Sequence, residues 1–258
     1  MSFFYIFLFI AGCVGGFFSG LLGIGGGIIM FPILYYLPPA LGFEPISVKQ
    51  ITGLTMIQGF FASLSAMFFY NREKLVHKSL ALTLGLSLSV SSLAGSLISK
   101  GISDRYLLFI FGMLAFVASL FMFVPRSYAK DDTTEDKVSF NKPIAIAIGI
   151  VVGFLIGMVG QGGAFIIIPI LLYVLKIPLR VALGSTLAIG LFSATAGLIG
   201  KVATGQVPFY MAAALLPGAI MTARFGGIVS KKTHAQLLRW LLAIIISATA
   251  IKVWYDIF

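Results

Sequence analysis

Gly16-Phe17-Phe18-Ser19-Gly20-Leu21-Leu22-Gly23-Ile24-Gly25-Gly26-Gly27 returns 137 positions later as Gly153-Phe154-Leu155-Ile156-Gly157-Met158-Val159-Gly160-Gln161-Gly162-Gly163-Ala164. Pro32-Ile33-Leu34 and Pro169-Ile170-Leu171 keep that offset. After a four-residue shortening, Pro45 and Val48 match Pro178 and Val181, and GSLISK at 95–100 resembles GGIVSK at 226–231. Ordered coincidences of this kind mark an internal repeat. The chain therefore divides into a first repeat over 1–126, a linker over 127–142 and a second repeat over 143–258.

Around these motifs the chain is poor in charge. Of 258 residues, 59% are hydrophobic and 10% charged, where a soluble domain has about 25% charged residues. No Asp, Glu, Lys or Arg occurs in 1–43, 50–71, 79–99, 106–125, 143–175, 181–200 or 202–223. About 20 apolar residues cross the hydrocarbon core as a helix, so the chain reads as an all-α, polytopic transmembrane bundle. The net charge of +10 does not mark a nucleic-acid binder, because its bases sit in short connections and no polar face gathers them. Cys13 lies inside the first apolar run and has no second cysteine to pair with. The N-terminus lacks the basic start of a signal peptide and reads as a retained span. The charged run Asp131–Lys137 reads as a linker between the repeats.

Loop charges bear on topology. Eight plain crossings divide the 18 Lys and Arg residues evenly, nine to each side. If the Gly-broken runs 3–37 and 143–175 each return to the side they entered from, the linker side collects 13 and the other side five, with Lys201 among the five. Positive residues gather on the cytoplasmic side. This parity places the linker in the cytoplasm and both termini outside, and makes the repeats inverted. Run 143–175 spans only about 50 Å as a helix, less than two full crossings. The expectation is 8–10 membrane helical segments, at least one of them short, tilted or re-entrant.

The glycine clusters are the expected chemical centre. Each Gly costs about 1 kcal/mol relative to Ala inside a helix, so Gly23, Gly25, Gly26 and Gly27, and Gly160, Gly162 and Gly163, interrupt their helices. Pro32 and Pro169 follow and remove further amides. Broken helices at membrane depth are tolerated only where they are buried or line a cavity. A free half-helix N-terminus there suits an anion, and paired breaks in two repeats point to a transport site. Gly16 and Gly20, and Gly153 and Gly157, have the spacing of close helix packing instead. A nucleotide loop does not fit, since no Lys-Ser/Thr follows either cluster.

All eight acids lie in loops or at span ends, which argues against a cation site built on carboxylates. An anion or neutral solute held by amides and hydroxyls remains. Candidate ligands are Thr52, Thr55 and Gln58 in the first half, and Gln161, Ser185, Thr186, Ser193 and Thr195 in the second. Gln161 stands where the first half has Ile24, and its amide can donate to a sulfonate oxygen. Arg224 ends an apolar run beside Gly226-Gly227 and is either an anion ligand or a residue reaching to the headgroups. No paired acids, nucleophile with base, or metal-ligand cluster is apparent. The chain is therefore expected to be no enzyme and to carry no metal or cofactor.

Gly-x-Gly-Gly-Gly with Pro near the start, Gly-x-Gly-Gly with Pro in mid-chain, and Val181-Ala182 before Gly184-Ser185-Thr186-Leu187 resemble the TauE/SafE family, also described as sulfite exporters. The resemblance covers nearly the whole chain. Half one departs from it, reading Ile51-Thr52-Gly53 where half two reads Gly184-Ser185-Thr186. The resemblance implies a permease of the bacterial inner membrane that moves small sulfur-containing anions such as sulfite, thiosulfate or organosulfonates. Its partners would be that anion and the lipid bilayer, with no nucleic acid; a homo-oligomer, a neutral-solute permease and a non-transporting subunit of a membrane complex stay open.

Overall fold

The computed structural model describes residues 2–23, 25–72, 76–123, 140–160 and 164–257, and every regular element among them is helical. The first half supplies α1 (Ser2–Leu22), α2 (Gly27–Ala40), α3 (Val48–Arg72), α4 (Lys78–Ile98) and α5 (Asp104–Phe123). The second supplies α6 (Lys142–Val159), α7 (Ala164–Tyr173), α8 (Leu179–Ala203), α9 (Phe209–Lys232) and α10 (Ala235–Ile257). A 3₁₀ turn, Ser99–Gly101, joins α4 to α5. Linker positions 124–139, together with Ile24, Gln161, Gly162 and Gly163, lie outside the described residues.

Seven of the described helices, α1, α4, α5, α6, α8, α9 and α10, are long and apolar enough to cross a membrane. Helices α2 and α7 are not. With 14 and 10 residues they rise about 21 and 15 Å, against roughly 30 Å of hydrocarbon. The expectation of a shortened piece within 143–175 is met by α7.

Small residues set the closest contacts. Helix α1 lies along α9, and a Cβ on Gly16 or Gly20 would overlap the carbonyl of Ala219 or Ala223. Helix α6 lies along α4 in the same manner, and a Cβ on Gly153 or Gly157 would strike Ser91 Oγ or the Ser92 carbonyl. These are the glycines whose Gly-x-x-x-Gly spacing fits close helix packing. Hydroxyls join the same pairs. Thr222 Oγ1 donates to the Cys13 carbonyl at 2.7 Å, and Ser91 Oγ donates to the Gly149 carbonyl at 3.0 Å. At the centre α3 packs on α8, while α5 packs on α10. Exchanging the halves preserves the pattern: α3 meets α9 as α8 meets α4, and α2 meets α10 as α7 meets α5.

The short helices converge on one aromatic cluster. Phe111 of α5 stacks on Phe31 of α2 with centroids 4.0 Å apart, and meets Phe165 of α7 edge-on at 6.1 Å. All three rings are fully buried. Rings in such offset or edge arrangements add about 0.5–1.5 kcal/mol per pair beyond area burial.

Gly20→Leu is expected to force α1 off α9 and to destabilise the protein by about 1–3 kcal/mol, as overpacking typically does. Gly101→Ala, where an added Cβ meets nothing within 4 Å, is expected to leave the unfolding midpoint unchanged. Thermal unfolding of both variants in detergent measures the difference.

Candidate functional site

Helix α1 ends where the Gly23 amide donates to the Ser19 carbonyl at 2.9 Å. Gly23, Gly25 and Gly26 then take φ values of 67°, 63° and 76°, a left-handed region costly for side chains with a Cβ. The chain doubles back along α1. Gly26 comes to rest against the Gly15 backbone, and the Met30 side chain fills the space where Gly15 would carry a Cβ. Helix α2 therefore begins beside the middle of α1. Its N-cap is Gly26, with no side-chain cap. Ile29 and Met30 amides reach back to the Gly26 carbonyl at 3.2 and 3.0 Å, but first-turn amides have no intrahelical acceptor. Further along, Pro32 removes the amide that would bond the Ile28 carbonyl, and Thr249 Oγ1 of α10 reaches that carbonyl at 3.4 Å.

Gln58 of α3 faces this start. A Cβ built on Gly26 would come within 2.7 Å of Gln58 Nε2, and one on Gly15 within 3.1 Å. Gln58 is fully buried, and neither its Nε2 nor its Oε1 has a hydrogen-bond partner. The buried hydroxyls of Ser19 on α1 and Ser193 on α8 share that condition. Ser19 lies one turn beyond Gly15 on the same face of α1. Leaving a buried polar group unpaired costs about 1–3 kcal/mol. An amide that can donate therefore stands unpartnered beside a half-helix N-terminus of partial positive charge.

The second break is built differently. Helix α6 ends at Gly160, with φ 89°, and a Cβ there would overlap the Thr52 carbonyl in the first turns of α3. Beside it sits Lys201, fully buried in the last turn of α8. Its Nζ lies within hydrogen-bonding distance of Thr52 Oγ1 at 3.0 Å, Ser99 Oγ at 2.8 Å, the Met158 carbonyl at 3.0 Å and Gln206 Oε1 at 2.9 Å, four acceptors that share its three N–H groups. The cluster continues as Gln206 Nε2 donates to Thr204 Oγ1 at 2.7 Å. Among the described residues no carboxylate pairs with Lys201. The effective penalty for burying an ammonium is several kcal/mol. Here the C-terminal ends of α4, α6 and α8 converge on it, and their partial negative charges offset part of that penalty.

The other sequence candidates fall at several places. Thr52 belongs to the Lys201 cluster, and Thr55 Oγ1 donates to the Thr52 carbonyl at 3.2 Å. Ser185 Oγ accepts from the His77 amide at 2.9 Å, at the opposite end of the bundle. Thr186 and Thr195 spend their hydroxyls on the Ala182 and Leu191 carbonyls of their own helix. Arg224 is exposed on α9. Gly27 opens α2; Gln161, Gly162 and Gly163 are outside the described residues.

The charge count treats Lys201 as a loop residue on an outer connection, whereas its ammonium is wholly enclosed. One signal sets it apart. Lys201 is the single charge between two long charge-free runs, 181–200 and 202–223.

A family profile described as sulfite exporter TauE/SafE matches residues 8–253. The chain belongs to the TauE/SafE family. A TauE/SafE assignment agrees with the multi-pass architecture and with relatives that carry transporter names. The chain is 24% identical to the probable membrane transporter protein YunE of Bacillus subtilis, over 98% of each chain. It is 29% identical to a probable membrane transporter protein of Xylella fastidiosa, over 94% of this chain and 92% of that one. A probable membrane transporter protein of Methanocaldococcus jannaschii is 27% identical, over 93% and 91%. No solved structure matches. This TauE/SafE chain is a multi-pass membrane transporter protein.

Gln58→Leu removes the unpartnered amide and keeps the volume. The expected result is an unfolding midpoint at or above that of the wild type, a gain of about 1 kcal/mol. A clear loss of stability would show that the amide is satisfied within the protein.

Proposed function

We propose that the protein exports small sulfur-containing anions, such as sulfite, thiosulfate or organosulfonates, by alternating access around the broken helices. The buried Gln58 amide, unpartnered beside the uncapped start of α2, carries this reading. A sulfonate-type oxygen is an acceptor that both the amide and the first-turn N–H groups can serve. Ser19 Oγ, on the same face of α1 as Gly15, is a further donor for that anion.

Two inverted repeats, 1–126 and 143–258 joined by the linker 127–142, supply the moving parts in this reading. Contacts at the two ends of the bundle support it. At one end Lys49 Nζ donates to the Lys100 carbonyl, the Val48 amide to Asp104 Oδ2, and the Phe4 ring meets Phe43. At the other, the His77 ring meets Phe140, Arg180 reaches the Thr233 carbonyl and Arg239 reaches Tyr173 OH. Helix α1 thus starts with the first group and α6 with the second, as halves of opposite orientation require. The charge count places the second group on the cytoplasmic side of the bacterial inner membrane. Gly160, Gly162, Gly163 and Gln161 would form the other break of the pair, with Thr52, Ser185 and Thr186 near the two ends of the path. Arg224, being exposed, is left out of the ligand set.

Uptake of radiolabelled sulfite or thiosulfate into proteoliposomes tests the reading. Wild-type protein is expected to carry the anion, and Gln58→Ala to raise KM about tenfold to a hundredfold, the range for a lost hydrogen bond to a charged group. Folded protein that moves none of a panel of small sulfur anions sinks it.

A further inference from the structure

Lys201 takes no part in holding the anion in the reading above, yet it is the one Lys, Arg, His, Asp or Glu among the described residues that is fully buried. The four groups around its Nζ are all placed to accept. Met158 and Gln206 present carbonyl oxygens, Thr52 Oγ1 gives its own proton to the Lys49 carbonyl at 2.8 Å, and Ser99 Oγ gives its proton to the Ser96 carbonyl at 2.6 Å. An oxygen-only shell at the end of an interrupted helix is the donor set with which transporters hold a coupling cation. Here the cation is part of the chain.

The shell is drawn from parts that must separate if this end opens: the start of α3, the turn after α4, the end of α6, the last turn of α8 and the connection to α9. It is also joined to the anion site through one helix. Thr52, Thr55 and Gln58 follow at three-residue intervals on α3, so the ammonium's contact lies about 9 Å along the helix from the unpartnered amide. The charged groups on neighbouring elements are committed elsewhere. Lys49 on α3 bonds the Lys100 carbonyl, Lys100 and Arg105 are exposed, and Asp104 holds the Val48 amide. Helix α6 and the 204–208 connection contribute only neutral groups to the shell.

Resting on the transport reading, we propose that Lys201 carries the coupling proton, and that proton and anion move together. When this end opens, the anion leaves and the Nζ–H bond breaks toward water on that side, leaving a neutral amine; when the opposite end opens, water entering from there through the anion site returns a proton to Nζ as the next anion binds. That helix rise of about 9 Å is the least separation of the charge from the anion, so at an effective dielectric near 20 it favours a bound anion by up to roughly twentyfold. By reciprocity the bound anion favours the protonated lysine equally, which makes the coupling symport.

The test uses proteoliposomes with the membrane potential clamped and thiosulfate or an alkanesulfonate as the carried anion, both ionised throughout the pH range used. Wild-type protein is expected to exchange the anion at equal pH and to accumulate it on the alkaline side, up to about tenfold per pH unit for one proton per anion. Lys201→Arg keeps the charge and donors but does not release its proton. It is expected to exchange the anion and fail to accumulate it, and Lys201→Met to lose accumulation likewise. Accumulation by Lys201→Arg at the wild-type level, or wild-type flux indifferent to the pH gradient, overturns the proposal. Folded Lys201→Arg protein that neither exchanges nor accumulates also overturns it, assigning Lys201 to holding that end of the bundle together. Absence of any wild-type flux overturns the transport reading itself, and this proposal with it.

Discussion

A polypeptide that interrupts its helices inside a bilayer must satisfy the freed backbone groups from within the protein, since lipid offers no hydrogen bonds. The rest of this architecture follows from that constraint. Each break is pressed against the opposite half: Gly23 against the Leu183 carbonyl of α8, and Gly160 against the Thr52 carbonyl of α3. The short helices that follow the breaks are covered by Phe111, and the carbonyl freed by Pro32 is reached by Thr249. Close approach at the breaks depends in turn on the glycine seams that hold α1 to α9 and α6 to α4. The halves are interleaved, so each break is covered in part by the other half.

Within that frame the two halves are chemically unequal. The first break leaves the Gln58 amide unpaired beside a helix N-terminus, a setting of partial positive charge. The second is bound to an ammonium at a place where three helix C-termini meet, a setting of partial negative charge. At the spacing that relates Val48 to Val181, Gln58 corresponds to Leu191 and Lys201 to Phe68. Each half therefore supplies one polar function that its counterpart replaces with an apolar residue.

Some of this was legible in the residues alone. Clusters of glycine announced the breaks because three such residues within a few positions oppose a helix whatever surrounds them. The Gly-x-x-x-Gly pairs announced the seams for an equally local reason. Gln58 stood out as a polar residue in mid-span, though nothing in its neighbours distinguished it from Thr186, whose hydroxyl is consumed by its own helix. Lys201 was misplaced because a single lysine between two spans reads as a loop; the turn that follows it folds inward and closes over its ammonium. Arg224, which has the better chemistry for an oxyanion, faces outward on α9, since a residue's side of a helix is decided by what that helix packs against.

The order and length of the helices, the placement of the breaks and the membrane setting were determined by the sequence, because spacing, glycine content and charge act over a few neighbouring residues. Which polar groups are satisfied was decided only by the tertiary structure. The partners of Lys201 lie 149, 102, 43 and five residues away, and Gln58 meets Gly15 and Gly26 across a chain reversal. Hydrogen-bond satisfaction is a property of neighbours in space, and those neighbours exist only once the two halves have closed on each other.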